Sequence, residues 1–99
     1  MFGKIKGLGS YIPEKRITNE ELSKYVDSDD EWIRERTGIR ARHVMEKETT
    51  ADMAVKAAAR ALNNAAMKGE EMDLIIVSSV SSNLILPNTA CYVQKEIGA

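Results

Sequence analysis

Residues 72–80 read MDLIIVSSV, a near-continuous apolar run in the second half of the chain. A run of this length with little alternation predicts a strand that is buried on both faces, as in a parallel sheet. Such a strand needs a hydrogen-bonded neighbour along each edge, and the sequence offers only two or three strands. We therefore expect an α/β fold whose sheet is incomplete within these 99 residues, which would form part of something larger.

Helical patterns lie on both sides of this run. The strongest covers residues 51–69, ADMAVKAAARALNNAAMKG, and is predicted to begin at Thr49-Thr50 and to end at Gly69. Its many alanines make the helix thin, so that a neighbouring element can approach its backbone closely. A last helix is predicted to open at Pro87-Asn88.

The first half of the chain predicts shorter elements. Residues 3–10, GKIKGLGS, indicate a short strand that enters a turn. Thr18 and Glu21 have the spacing of a capping box, which predicts a short helix through Val26. Residues 39–45 alternate enough for a strand or for one arm of a hairpin. This order of strands and helices favours the α/β class.

The window 29–43, DDEWIRERTGIRARH, contains the only Trp, the only His and four arginines. Ser28 or Asp29 is predicted to cap a helix that stops at Gly38. Trp32 and Arg36 then lie four residues apart on one face. An indole beside a guanidinium can hold a flat group such as a nucleobase, and the positive charge suits a phosphate. Alternatively, Trp32 packs in the core while the arginines are solvated or paired, and the residues alone favour this second interpretation.

Composition narrows the function classes. A net charge of -1 and an isoelectric point near 5.8 argue against a nucleic-acid partner. The apolar runs fall short of the roughly 20 residues that span a bilayer, and the N-terminus lacks the pattern of a signal peptide. The single cysteine cannot form an internal disulfide, so the cytoplasm is the expected location.

Cys91 and His43 are the candidates for a nucleophile and its base. A free cysteine among alanine and valine on a helix more often behaves as a small buried hydrophobic residue, and His43 is most simply a surface side chain of a strand. The acidic residues show no spacing typical of metal ligands. We therefore predict no metal site and no catalytic role for this pair.

Four segments resemble, in order and spacing, the N-terminal part of the β-ketoacyl-[acyl-carrier-protein] synthase III family of thiolase-like condensing enzymes. They are GLGSYIPEKRITNEEL, DDEWIRERTGIRARH, ETTADMAVKAAARAL and DLIIVSSVSSNLILPNTACYVQKEIGA. The resemblance covers nearly the whole chain. It implies that residues 1–99 form an N-terminal fragment of the first half of a layered αβαβα fold, with no second domain.

The resemblance implies an activity for the parent enzyme. Members join an acyl-CoA primer to malonyl-acyl carrier protein with loss of carbon dioxide, which initiates fatty-acid synthesis. They are cytoplasmic homodimers that use a Cys-His-Asn set without cofactor or metal, and coenzyme A enters as the substrate thioester. In the family this catalytic set lies further along than the segments matched here, so the fragment is expected to be inactive, and Cys91 does not correspond to the nucleophile.

The resemblance also implies binding residues, and it reverses the preference for Trp32 as a core residue. Trp32 and Arg36 match the pair that flanks the adenine of coenzyme A, Thr37 matches the family's Thr in the same run, and Ser28 stands where many members carry a coenzyme A-contacting Thr. Leu86 stands where many members place an aromatic side chain that reaches the partner subunit's acyl pocket.

Two alternatives stay open. One is a synthase III-like acyltransferase of secondary metabolism. The other is a stand-alone nucleotide-binding α/β module.

Overall fold

The computed structural model describes residues 2–79 and 88–99. The chain forms two compact units, one consisting of Ile12–Lys47 and the other of the described residues on either side of it. The elements, in chain order, are β1 (Arg16–Thr18), α1 (Asn19–Leu22), α2 (Asp30–Thr37), β2 (Ala41–His43), α3 (Thr50–Ala65), a 3-10 helix (Gly69–Glu71) and α4 (Thr89–Ile97).

In the unit 12–47, β1 and β2 form an antiparallel pair in which Ile17 lies opposite Arg42. The strand prediction for residues 39–45 is therefore confirmed over Ala41–His43, whereas β1 was not predicted. Helix α1 is shorter than predicted, because it ends at Leu22. The Thr18 hydroxyl caps it by accepting from the Glu21 amide at 3.2 Å, but the Glu21 carboxylate meets the Thr18 hydroxyl rather than the Thr18 amide.

Helix α2 has the two ends that the sequence predicts. The Asp29 carboxylate accepts from the Trp32 amide at 2.8 Å, which satisfies one of the free N–H groups of the first turn. Gly38 closes the helix with φ 73°, and its N–H donates to the Arg34 carbonyl. This left-handed conformation favours glycine, because glycine has no Cβ. Ile33 is 5% exposed and provides the buried contact of the helix.

The second unit is organised by α3 and α4, which pack against each other. Thr49 and Asp52 form a complete capping box at the start of α3. The segment before residue 12 runs along α3, where Arg60 donates to the Ser10 carbonyl and Asn64 to the Leu8 carbonyl. This approach confirms that the alanine-rich helix accepts a neighbour close to its backbone.

Helix α3 stops at Ala65, so the prediction that Gly69 ends it is wrong. Ala66 takes the left-handed position with φ 54° and bonds the last carbonyls of the helix. Gly69 has another role, since a Cβ there would fall onto the Ile97 carbonyl at the end of α4. A close contact between backbones thus explains this glycine.

Replacing Ala66 by glycine is expected to stabilise the protein by about 1 kcal/mol, because a left-handed residue with a Cβ carries roughly that strain. Urea unfolding with an unchanged slope would report the gain as a higher midpoint. The control is Ala59→Gly at an exposed position inside α3, which should cost about 1 kcal/mol. A lower midpoint for Ala66→Gly would contradict the assigned conformation.

The two other predicted strands are absent from the described residues. No strand occurs within residues 3–10, where Gly7 and Gly9 lie against the backbone of α3 instead of pairing with a neighbour. Nor does one occur within residues 73–79, and Leu74 and Ile76 are 75% and 82% exposed rather than buried. A strand exists only where a second strand completes its hydrogen bonds, and the described part of the chain provides none for this run.

Candidate functional site

Trp32 and Arg36 form a stacked pair on the surface of α2. The Arg36 guanidinium carbon lies 4.9 Å from the centroid of the Trp32 ring, within the range of a cation–π contact. The indole is 52% exposed. Trp32 is therefore not a core residue of this unit, and its ring is available on the outside of the helix.

Helical geometry accounts for this orientation. At about 100° per residue, Trp32 and Arg36 share one face. Asp30 and Arg34 lie on roughly the opposite side, where the Arg34 Nε bonds the Asp30 Oδ2 at 2.8 Å. Because Arg34 points away from the indole, Arg36 is the arginine of this helix that lies over it.

Thr37 closes the same helix with its side chain. Its hydroxyl donates to the Ile33 carbonyl at 2.7 Å and accepts from the Ile39 amide at 3.1 Å. Both hydrogen bonds shape the turn after α2. A contact between Thr37 and coenzyme A thus remains a prediction.

Ser28 precedes the cap of α2 and is half-buried. Its Oγ is inaccessible, and within the described part of the chain it has no hydrogen-bond partner. Its amide donates to the Val26 carbonyl at 2.9 Å. The hydroxyl is closed to solvent in this unit, and a contact between Ser28 and coenzyme A remains a prediction.

Two further arginines follow α2. Arg40 and Arg42 are both exposed, and Arg42 belongs to β2. Among the described residues, the Asp30–Arg34 pair is the one ion pair that any arginine of the window 29–43 forms. Arg36, Arg40 and Arg42 are therefore free of carboxylate partners there, which suits the binding of a phosphate group.

Comparison with known proteins gives a consistent result. No protein-family model matches the chain. It is 50% identical, over 100 aligned residues, to the β-ketoacyl-[acyl-carrier-protein] synthase III of Xylella fastidiosa, and the match covers all of this chain and 31% of that protein. The crystal structure of 3-oxoacyl-[acyl-carrier-protein] synthase III from Aquifex aeolicus superposes on 97% of the chain with a TM-score of 0.90 and 45% identity, covering 31% of that structure.

The chain is homologous to part of β-ketoacyl-[acyl-carrier-protein] synthase III. Synthase III proteins are condensing acyltransferases with a thiolase-like fold, so the predicted α/β class with an incomplete sheet is confirmed. The priming β-ketosynthase of the R1128 polyketide pathway is also similar in structure, with a TM-score of 0.89, 38% identity and coverage of 97% of the chain and 29% of that structure. The chain spans about 30% of the length of the synthase III relatives that it matches.

Cys91 lies on the exposed side of α4, so its predicted burial is wrong. Thr89 and Val93 point into the unit, and Cys91, midway between them, falls on the opposite side of the helix. Its amide donates to the Asn88 side chain at 3.0 Å, which caps the helix. That Cys91 is not the nucleophile remains a prediction.

His43 is an exposed side chain of β2, as predicted. Its Nδ1 lies 2.7 Å from the Pro13 carbonyl, which can only accept, so Nδ1 carries the proton of this bond. The hydrogen bond joins the strand to the segment before β1. His43 therefore has a structural role in this unit.

Asp52 and Tyr92 connect α3 to α4. The Tyr92 hydroxyl donates to the Asp52 Oδ1 at 3.4 Å. The hydrogen bonds from the backbone and hydroxyl of Thr49 hold the pKa of Asp52 below its ordinary value, and the charge of Asp52 raises the pKa of Tyr92. These shifts arise from capping and packing rather than from a catalytic cleft.

Leu86, the predicted acyl-pocket residue, lies outside the described residues, as does Pro87. Within residues 2–79 and 88–99, no group of three His, Cys, Asp or Glu side chains is placed to hold a metal ion. In the same ranges, no helix is both long and apolar enough to cross a membrane.

Proposed function

We propose that the unit 12–47 forms the coenzyme A entrance of a β-ketoacyl-[acyl-carrier-protein] synthase III. The observation that carries the proposal is the half-exposed indole of Trp32 with the Arg36 guanidinium over its face, in a chain 50% identical to a synthase III. The adenine of coenzyme A has the flat shape and the size to stack on this pair. The phosphates have the charge to bind the unpaired arginines nearby.

In this proposal the chain binds and orients the nucleotide end of an acyl-CoA primer. Stacking on Trp32 and charge pairing with Arg36 hold that end, while Ser28 and Thr37 are the further coenzyme A contacts that the synthase III resemblance implies. The condensation with malonyl-acyl carrier protein, with loss of carbon dioxide, takes place at residues supplied by the remaining two thirds of the enzyme. The chain alone is then inactive, because the reacting thioester finds no nucleophile in it.

The proposal extends to the assembly. The whole enzyme acts as a cytoplasmic homodimer, with Leu86 directed to the acyl pocket of the partner subunit, and it needs neither cofactor nor metal. It has no nucleic-acid or membrane partner. Support comes from the resemblance to synthase III and from the acidic composition.

The test is an assay of the condensation reaction, carried out with the protein at the full length that its gene encodes. With an acyl-CoA and malonyl-acyl carrier protein we expect release of carbon dioxide and formation of a β-ketoacyl-acyl carrier protein. Cys91→Ala should retain most of this activity, because the synthase III resemblance places the nucleophile further along the chain than Cys91. Loss of acylation in a folded Cys91→Ala protein would make Cys91 the nucleophile and contradict the assignment. Activity with other acyl acceptors alone would favour an acyltransferase of secondary metabolism.

A further inference from the structure

Asn19 is the most completely buried polar side chain of the unit 12–47, with 1% of its surface exposed. Its Nδ2 donates two hydrogen bonds, to the Asp30 Oδ1 at 2.9 Å and to the Ile39 carbonyl at 2.7 Å. Its amide donates to the Arg40 carbonyl at 3.2 Å. One buried residue therefore makes three hydrogen bonds to groups at the ends of α2 and just beyond it.

The two acceptors of Nδ2 flank the helix that carries the stacked pair. Asp30 is the first residue of α2, and Ile39 follows its glycine stop. Because both acceptors bond one nitrogen, the start of the helix and the chain leaving it are tied together across the turn at Gly38. The length and the exit direction of α2 depend on this tie.

The bond to Asp30 also sets the rotation of the helix. It holds the Asp30 side of α2 inward, together with the buried Ile33, and leaves the side of Trp32 and Arg36 facing solvent. The second oxygen of Asp30 simultaneously bonds Arg34, whose side chain is exposed on the side of α2 away from Trp32. Asn19 therefore acts on the stacked pair without touching it.

We propose that Asn19 is the positioning residue of the coenzyme A entrance, which it organises by fixing the rotation and both ends of α2. The inference rests on the proposed function, since the entrance itself is proposed. Alanine at position 19 keeps its backbone amide but has no side-chain donor, so the Asp30 Oδ1 and the Ile39 carbonyl would lose the nitrogen that links them and the helix would be freer to turn. A turn of α2 moves the indole and the guanidinium away from the adenine.

The experiment compares Asn19→Ala with Asn63→Ala, the same change at an exposed position of α3, in the protein at the length its gene encodes. Two quantities are measured. The first is the ¹⁹F resonance of 5-fluorotryptophan at position 32, assigned by its loss in Trp32→Phe. The second is the pair of steady-state constants, KM for acyl-CoA and kcat for condensation.

We expect Asn19→Ala to shift the Trp32 resonance of the ligand-free protein and to raise KM roughly tenfold, with kcat within about twofold, because a displaced binding group weakens the hold on substrate. Asn63→Ala should change neither quantity. An unmoved resonance and an unchanged KM would overturn the inference, and so would a fall in kcat with KM unchanged, which marks a general structural role. If Asn19→Ala does not fold, Asp30→Ala is the deciding variant, because it removes one acceptor of Asn19 at a partly exposed site. It should produce the same shift of the Trp32 resonance and the same rise in KM. An Asp30→Ala protein with an unmoved resonance and an unchanged KM would overturn the inference.

The failure of the inference can be distinguished from the failure of the proposed function. If Trp32→Ala raises KM and Asn19→Ala does not, the entrance stands and Asn19 has no part in positioning it. If Trp32→Ala leaves KM for acyl-CoA unchanged, the entrance itself is wrong and the inference is overturned with it.

Discussion

Replacing Trp32 by alanine is expected to raise KM for acyl-CoA by about 5- to 150-fold, the range that corresponds to losing one base–aromatic stack of about 1–3 kcal/mol. The turnover number should change little. The stack acts on the nucleotide end, which contributes equally to the bound substrate and to the transition state, so its loss weakens uniform binding. Initial-rate kinetics at varied acyl-CoA give both constants.

Comparison of substrates and variants sharpens this test. Acyl carrier protein carries a phosphopantetheine arm without adenine, so its use should be spared by Trp32→Ala. Tyr25→Ala is the control, because Tyr25 is an aromatic of the same unit, is 81% exposed and lies outside the stacked pair. Arg36→Ala should raise KM most at low ionic strength, since salt screens an exposed charge–phosphate attraction. An equal loss for both substrates in Trp32→Ala would contradict adenine stacking.

Replacing Gly9 by valine is expected to destabilise the protein by about 3 kcal/mol, at the upper end of the usual range for overpacking. A Cβ at Gly9 would fall onto the backbone nitrogen of Ala61 and the Ala57 carbonyl. These are backbone atoms of α3, so relief requires the whole segment to move away from the helix. The hydrogen bonds from α3 to the Leu8 and Ser10 carbonyls would then be lost as well.

Gly3→Val provides the matched control for this prediction. A Cβ at Gly3 meets no atom within 4 Å, so the same change there should leave the unfolding midpoint nearly unchanged. Urea unfolding of both variants measures the difference. Equal midpoints would show that residues 7–9 do not lie against α3 as described.

Helix starts are the features that the sequence predicted best. Asp29 and Gly38 bracket α2, Thr49 begins α3 and Asn88 caps α4, all as expected. Each signal is local, because a capping side chain bonds an amide two or three residues ahead. The position of Trp32 and Arg36 on one face of α2 follows from the same local rule, but the residues alone favoured a buried Trp32, and the synthase III resemblance reversed that preference.

The strand predictions fared less well, because strands depend on partners. The apolar pattern of residues 73–80 predicts burial on both faces, yet Leu74 and Ile76 are exposed in the described part of the chain. Conversely, β1 has no pattern of its own and forms because β2 lies beside it. The end of α3 at Ala65 also escaped the local pattern, because Gly69, the expected stop, lies instead against the end of α4.

The sequence by itself determined the starts of α2, α3 and α4, the placing of Trp32 and Arg36 on one face of α2 and the likeness to synthase III, because these depend on residues close together along the chain or on motifs read directly. Tertiary structure alone decided the burial of Asn19, whose side-chain acceptors lie 11 and 20 residues away. It also decided the exposure of Cys91, which depends on the face that α4 turns toward α3. Such contacts join distant segments, and their energies depend on packing geometry that no local pattern records.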